Sequence, residues 1–280
     1  MTVSRIISFV CLKGGVGKTT IATNIAAYLA ANRRETLLVE LDYPSVSRYV
    51  FSEGELSVKM RRTLYDVLRS RLIGAPVDVG GAAIKCERWG DYLHVVVGGE
   101  GLGRFEKDAS RTPNWVRFLD ETLDYVKRLY KFVILDCPPR FGVLTMMAVY
   151  ASNYYVIPTV PDHLNLRRAK DTLQTIESFA ESVMAPGGRS VKCLGVILNR
   201  RRKVAHHTEM VRKAWEILGE SVFRNILGDS IAYAVSLKEH TPIYNLRRSY
   251  RDAVEQFDAL YNEFMRRIEA IEGLGAPGGT

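Results

Sequence analysis

The chain has 280 residues, 47% hydrophobic and 25% charged, as in soluble globular proteins, and is long enough for one large domain or two small ones. No apolar run approaches the roughly 18 residues a membrane-crossing helix needs, and Met1–Arg5 leads straight into a strand pattern, so neither a membrane span nor a signal peptide is expected. Lys and Arg outnumber Asp and Glu by 39 to 31, a net charge of +8 compatible with nucleic acid or an anionic surface as partner, while Cys11, Cys86, Cys137 and Cys193 lack metal-ligand spacing and read as reduced thiols of a cytosolic protein.

The apolar run Arg5–Cys11 predicts a buried strand, and the apolar spacing of Thr19–Ala31 predicts a helix. Between them lies Lys13-Gly14-Gly15-Val16-Gly17-Lys18-Thr19-Thr20. A glycine loop between a strand and a helix N-terminus lets backbone N–H groups close on phosphates, whose charge the helix dipole favours. In such a loop Lys18 reaches the β/γ oxygens and the Thr19 hydroxyl ligates Mg2+. The usual loop has glycine at position 12; here Leu12 is followed by a second lysine, Lys13.

Thr36–Leu41 predicts the next strand, ending in Glu40-Leu41-Asp42-Tyr43-Pro44. Alternation places Glu40 and Asp42 on one side of it, at the carboxyl end where open α/β sheets bind ligands, so both acids are expected to face the nucleotide. Residues 43–113 carry the weakest pattern; Thr63–Leu68 reads as a helix opening and Tyr92–Val97 as a strand. The Gly98-Gly99-Glu100-Gly101 cluster lacks Lys-Ser/Thr and reads as a plain loop. A helix is predicted over Asn114–Leu129. Phe132–Asp136 is an apolar strand ending in aspartate, a Walker B arrangement in which Asp136 orients Mg2+ or its water. Two prolines and a glycine follow in Cys137–Gly142, a stiff turn suited to sensing a γ-phosphate.

Tyr154–Thr159 and Val191–Leu198 predict further strands, Leu164–Val183 a long helix, and Asn199 by itself a turn residue. A basic group follows, Arg200, Arg201, Arg202 and Lys203, with His206, His207, Arg212 and Lys213 behind it; Arg247, Arg248 and Arg251 form a second. Such runs are ordinarily solvated faces, but arginines and lysines on one face also suit sequence-independent phosphate contacts. Tyr250–Ile271 is amphipathic, with Val254, Phe257, Tyr261, Phe264, Ile268 and Ile271 at helical spacing among both acids and bases, which favours packing on the core over lying on a bilayer. The expected fold is a Rossmann-like P-loop α/β domain over residues 1–272, its mainly parallel sheet covered by helices on both faces, with a flexible tail at 273–280.

The loop with lysines at both ends resembles the deviant Walker A motif of the ParA/MinD ATPases, and Thr-Leu-Tyr-Asp-Val-Leu at 63–68 and Asp-Cys-Pro-Pro at 136–139 resemble ParA stretches. That resemblance, over about residues 4–270, implies an ATPase that binds ATP and Mg2+, dimerises with ATP and binds DNA without sequence preference. It implies plasmid or chromosome partition with a ParB-type partner, in the cytoplasm on the nucleoid. It also implies that Lys13 crosses to the partner's nucleotide, Asp42 positions the attacking water and Asn199 bonds adenine. The chain departs from the family where Glu40 replaces an aspartate, Tyr43-Pro44 replaces Pro-Gln and Arg140 replaces a common serine. Asp229 and Ala232 stand where family members often have arginines, which leaves DNA binding to the Arg200 cluster or to none; Asp229 would still close the nucleotide pocket. Arg140 is open to three readings: a partner contact, a DNA contact or plain exposure. A MinD-like or cargo-positioning ATPase, an iron-protein relative and a weakly hydrolysing nucleotide-binding scaffold are the alternatives.

Overall fold

The computed structural model describes residues 4–184 and 190–273, so positions 274–280 of the expected tail lie outside the described residues. In chain order the first half runs β1 (Arg5–Phe9), α1 (Lys18–Ala31), β2 (Thr36–Glu40), α2 (Val46–Val50), α3 (Glu53–Lys59) and α4 (Leu64–Leu72). Then come β3 (Ala83–Lys85), β4 (Leu93–Val96), α5 (Leu102–Ala109), α6 (Phe118–Leu123) and β5 (Phe132–Asp136). The second half runs α7 (Val143–Ala151), β6 (Tyr154–Thr159), α8 (His163–Val183), β7 (Lys192–Leu198), α9 (Ala205–Leu218), α10 (Ala232–Lys238) and α11 (Arg251–Glu272).

The strands form one seven-stranded sheet of order β3-β4-β2-β5-β1-β6-β7, with all neighbours parallel except the edge pair β3 and β4. This is the Rossmann-like P-loop architecture expected. The strands read as continuous apolar runs because both faces are covered. Ile7, Phe9, Leu38, Ile134 and Val156 pack on one face, beneath Ile21, Ile25 and Leu29 of α1 and Phe257 and Phe264 of α11. Their alternates Ile6, Leu37, Val39, Val133 and Leu135 pack on the other, beneath Leu64 of α4, Phe105 of α5 and Met147 of α7. Each such fully buried side chain contributes about 1.5–3 kcal/mol.

One expectation is corrected here and one strand was not foreseen. The helix predicted over Asn114–Leu129 is a 3-10 turn (Trp115–Arg117), α6, and a second 3-10 turn (Val126–Arg128). Past α6 the backbone tightens into i→i+3 bonds: the Asp124 N–H donates to the Glu121 carbonyl and the Arg128 N–H to the Tyr125 carbonyl. Strand β3, with three residues, was too short to show a period. The C-terminal amphipathic helix forms as read: Val254, Phe257, Phe264 and Ile268 of α11 are buried in the core, so its apolar stripe is covered. Among the described residues no helix is long and apolar enough to cross a membrane.

Because six strands run parallel, the carboxyl ends of β1, β2, β5, β6 and β7 open on one edge of the sheet, where the strand order also reverses around β1. Register sets Phe9 beside Asp136 and Glu40 beside Asp136, so the phosphate loop and both strand-end acids converge there.

Candidate nucleotide site

The loop between β1 and α1 turns on Gly15 and Gly17, at φ +80° and +89°. A Cβ on Gly17 would lie 2.1 Å from Asn199 Nδ2, which itself donates to the Val16 carbonyl at 2.8 Å. Asn199, 5% exposed at the end of β7, thus clamps the loop from the side. Helix α1 begins at Lys18 behind Gly17 with no side-chain cap, leaving its first N–H groups for an anion.

At the centre lies Asp136, fully buried. Its Oδ1 takes a hydrogen bond from Lys18 Nζ at 2.7 Å, and its Oδ2 takes one from Thr19 Oγ1 at 2.8 Å and one from Ser45 Oγ at 3.0 Å. Burial lowers the Lys18 pKa, but the charge and hydrogen bond of Asp136 outweigh it and the ammonium is held above its ordinary range. Asp42 Oδ2 stands 4.0 Å from Lys18 Nζ. Burial raises the Asp42 carboxyl above its ordinary value; Lys18 opposes the shift and Asp136 adds to it.

Glu40 does not face the nucleotide as expected. Its carboxylate is fully buried. Oε1 accepts from Ser45 N at 2.5 Å, Ser47 N at 3.1 Å and Ser47 Oγ at 3.0 Å, and Oε2 accepts from Gly98 N at 2.9 Å. The extra methylene relative to aspartate carries the carboxylate beneath the following loop.

These groups line a cleft of 650 Å³ formed by Lys13, the loop from Gly14 to Thr20, Asp42, Pro139 and Asn199, with Tyr49, Arg200, Asp229, Ile231, Tyr233 and Leu237 at its other end. Gly15 and Gly17, the uncapped helix start, buried Lys18 and the Thr19–Asp136 oxygens fit a nucleotide polyphosphate and a hard divalent cation. Lys13 sits on the rim, between this cleft and a hollow of 370 Å³ bounded by Val160, Asp162, Asn165 and Arg202. Among the described residues it forms no salt bridge.

Arg200 belongs with the cleft rather than with the basic run alone. Its Nη1 donates to the Gly15 carbonyl at 3.1 Å, and its Nε and that of Arg202 reach the two oxygens of Asp229, at 3.5 and 2.8 Å. Arg202, with Arg200 behind it, holds the Asp229 carboxyl below its ordinary range. Arg201 and Lys203 are exposed. Arg247 and Arg248 are also exposed, Arg247 bonded to Asp258 of α11 at 2.6 Å. Asp229 lines the cleft. Arg140 pairs with Glu106 of α5, whose other oxygen accepts from Leu144 N at 3.2 Å at the start of α7.

Sequence reasoning missed Ser45 and the Tyr49, Ile231, Tyr233 and Leu237 end of the cleft. A hydroxyl three positions beyond Asp42 was the available signal for Ser45. Cys137 is buried and its thiol is pushed up by desolvation.

The AAA domain family matches residues 4–185. The chromosome-partitioning ATPase Soj of Treponema pallidum is 29% identical, over 95% of this chain and 97% of its own. An ATP complex of a Cyanothece McdA variant superposes with a TM-score of 0.78 at 18% identity, covering 100% of both chains. A putative plasmid partition protein of Borrelia burgdorferi bound to AMPPNP gives 0.76 at 19% identity, over 94% of this chain and 99% of that one.

Proposed function

Since this chain belongs to the ParA-type family of AAA domains, we propose that it is an ATP-driven switch: an ATPase that dimerises with ATP, binds DNA without sequence preference in that state, and partitions a plasmid or chromosome with a ParB-type partner. The observation that carries the reading is the convergence of Lys18, Thr19, Asp42 and Asp136 beneath a glycine loop, with Lys13 on the rim and no salt bridge among the described residues.

Residues 1–272 act as one ATPase unit. The loop N–H groups and Lys18 bind the phosphates, and Asn199 with Tyr233, Ile231 and Leu237 receives the base. Thr19 and Asp136 are the residues that would hold Mg2+, which when bound neutralises charge on the phosphates. Asp42 orients water in line with the terminal phosphate. Lys13 serves the partner protomer's nucleotide, so that charge neutralisation joins the dimer and stabilises charge developing during transfer. Hydrolysis then loosens the dimer, and the turn after Asp136 passes that change to the surface.

The DNA track is supported by the net charge of +8 and by exposed Arg201, Lys203 and Arg248. Binding to a random-sequence duplex, measured with ATP, with ADP and without nucleotide at two salt concentrations, tests it. Salt-sensitive binding confined to ATP is the expected result. No binding in any state, with nucleotide binding confirmed, would replace DNA with a protein or membrane track.

A further inference from the structure

We propose that Ser45 is a second protein hydroxyl of the magnesium shell, presented there by Glu40; the inference rests on the ATPase reading above. Ser45 Oγ and Thr19 Oγ1 both donate to the same oxygen, Asp136 Oδ2, at 3.0 and 2.8 Å, while Lys18 Nζ holds the other oxygen at 2.7 Å. Two hydroxyls from separate elements therefore meet on one oxygen of a buried carboxylate. A hydroxyl that donates still carries lone pairs for a cation, and magnesium takes oxygen ligands in a compact shell.

Ser45 does not use its hydroxyl to cap the helix that follows it. It is the N-cap of α2, where a serine hydroxyl normally accepts from the first turn, yet it makes no capping bond. Glu40 takes that place, accepting from Ser47 N and Ser47 Oγ. The same Glu40 oxygen binds Ser45 N at 2.5 Å, which fixes the residue with its hydroxyl turned toward Asp136. Through Gly98 N the carboxylate also ties this loop to the end of β4. Glu40 in place of the family's aspartate and a hydroxyl at position 45 thus act together: the longer acid moves below the loop and the serine fills the space beside Asp136.

The test compares the affinity of a fluorescent ATP analogue at saturating Mg2+ with that in EDTA, for the unmodified protein, Ser45→Ala and Ser45→Thr. Ser45→Ala should bind as the unmodified protein does in EDTA, which also reports that the pocket is folded. Its gain in affinity from Mg2+ should fall about 10-fold, with half-saturation at a correspondingly higher Mg2+ concentration, the size typical of losing a group that supports a metal. Ser45→Thr keeps the oxygen and should restore the gain. A full Mg2+ gain in Ser45→Ala, or a loss in Ser45→Thr equal to that in alanine, would overturn the assignment of Ser45 alone. If the unmodified protein bound the analogue no better with Mg2+ than in EDTA, the ATPase reading and this inference would fall together.

Discussion

At the scale of single residues, the phosphate loop is governed by Gly17. Its φ of +89° already disfavours any side chain, and a methyl there would meet Asn199 Nδ2 at 2.1 Å. Gly17→Ala should therefore displace Asn199 from Val16 and distort the loop. Affinity for ATP, measured by titration of a fluorescent analogue, should fall at least about 10-fold, the equivalent of roughly 1.4 kcal/mol, from αL strain of about that size. Unchanged affinity would mean that the loop does not close on phosphate. Asp42 gives a prediction in pH. Its carboxyl is raised chiefly by burial, against the pull of Lys18, and the water-orienting role proposed for it requires the anion. Hydrolysis should be full above that raised pKa and be lost as pH falls through it, with the acid limb above the aspartate value of about 3.9. The kcat/KM profile measures this, and Asp42→Asn should abolish both the activity and the limb. Residues carrying named chemistry, such as Lys18, Thr19 and Asp136, were legible because their types and spacing follow from the ligand. Asn199 was legible only in part: the chain gave its place after a strand, while its bond to Val16 depends on β7 lying beside the loop, a contact between residues 183 positions apart.

At the scale of elements, legibility followed burial. Strands covered on both faces announce themselves as apolar runs, and α11 announces itself by its stripe. The stretch from 43 to 59 was hard to read because α2 and α3, of five and seven residues, are too short to show a sustained period, although Val46, Tyr49 and Val50 of α2 are buried in the core. Glu40 is the anchor of the first of them, and its role could not be read from position alone because one methylene decides where the carboxylate goes. Glu40→Asp restores the residue common in the family and should nevertheless destabilise this chain. A shorter carboxylate leaves either the Ser45–Ser47 donors or Gly98 N without the fully buried acceptor they now share, at a cost of about 1–3 kcal/mol. Urea denaturation would show the midpoint falling with an unchanged slope. An equal or higher midpoint would show that the loop re-anchors, and that Glu40 is replaceable.

At the scale of the whole molecule, the surplus of positive charge has to be divided by what each residue already holds. Arg200 is committed to Gly15 and Asp229, and Arg202 to Asp229, so replacing all of residues 200–203 would disturb the cleft together with any DNA surface. Arg201→Ala with Lys203→Ala is the cleaner pair. If both contact phosphates, the double variant should bind DNA more weakly at every sequence and lower the salt slope by roughly 2, with ATP affinity intact. An unchanged slope would move the track elsewhere, with Arg247 and Arg248 next in line. The dimer is argued from the opposite circumstance. Lys13 lies between two hollows on the rim, and an ammonium that forms no salt bridge among the described residues, beside a phosphate site, is suited to an anion from a partner protomer. Its own cleft already has Lys18 for charge neutralisation, so losing Lys13 should leave ATP affinity nearly unchanged while removing the attraction across the interface. Lys13→Ala should therefore remain a monomer by light scattering at saturating ATP, where the unmodified protein is expected to double in mass. Doubling in both would exclude the cross-protomer role, and loss of ATP binding in the variant would instead place Lys13 on its own protomer's nucleotide.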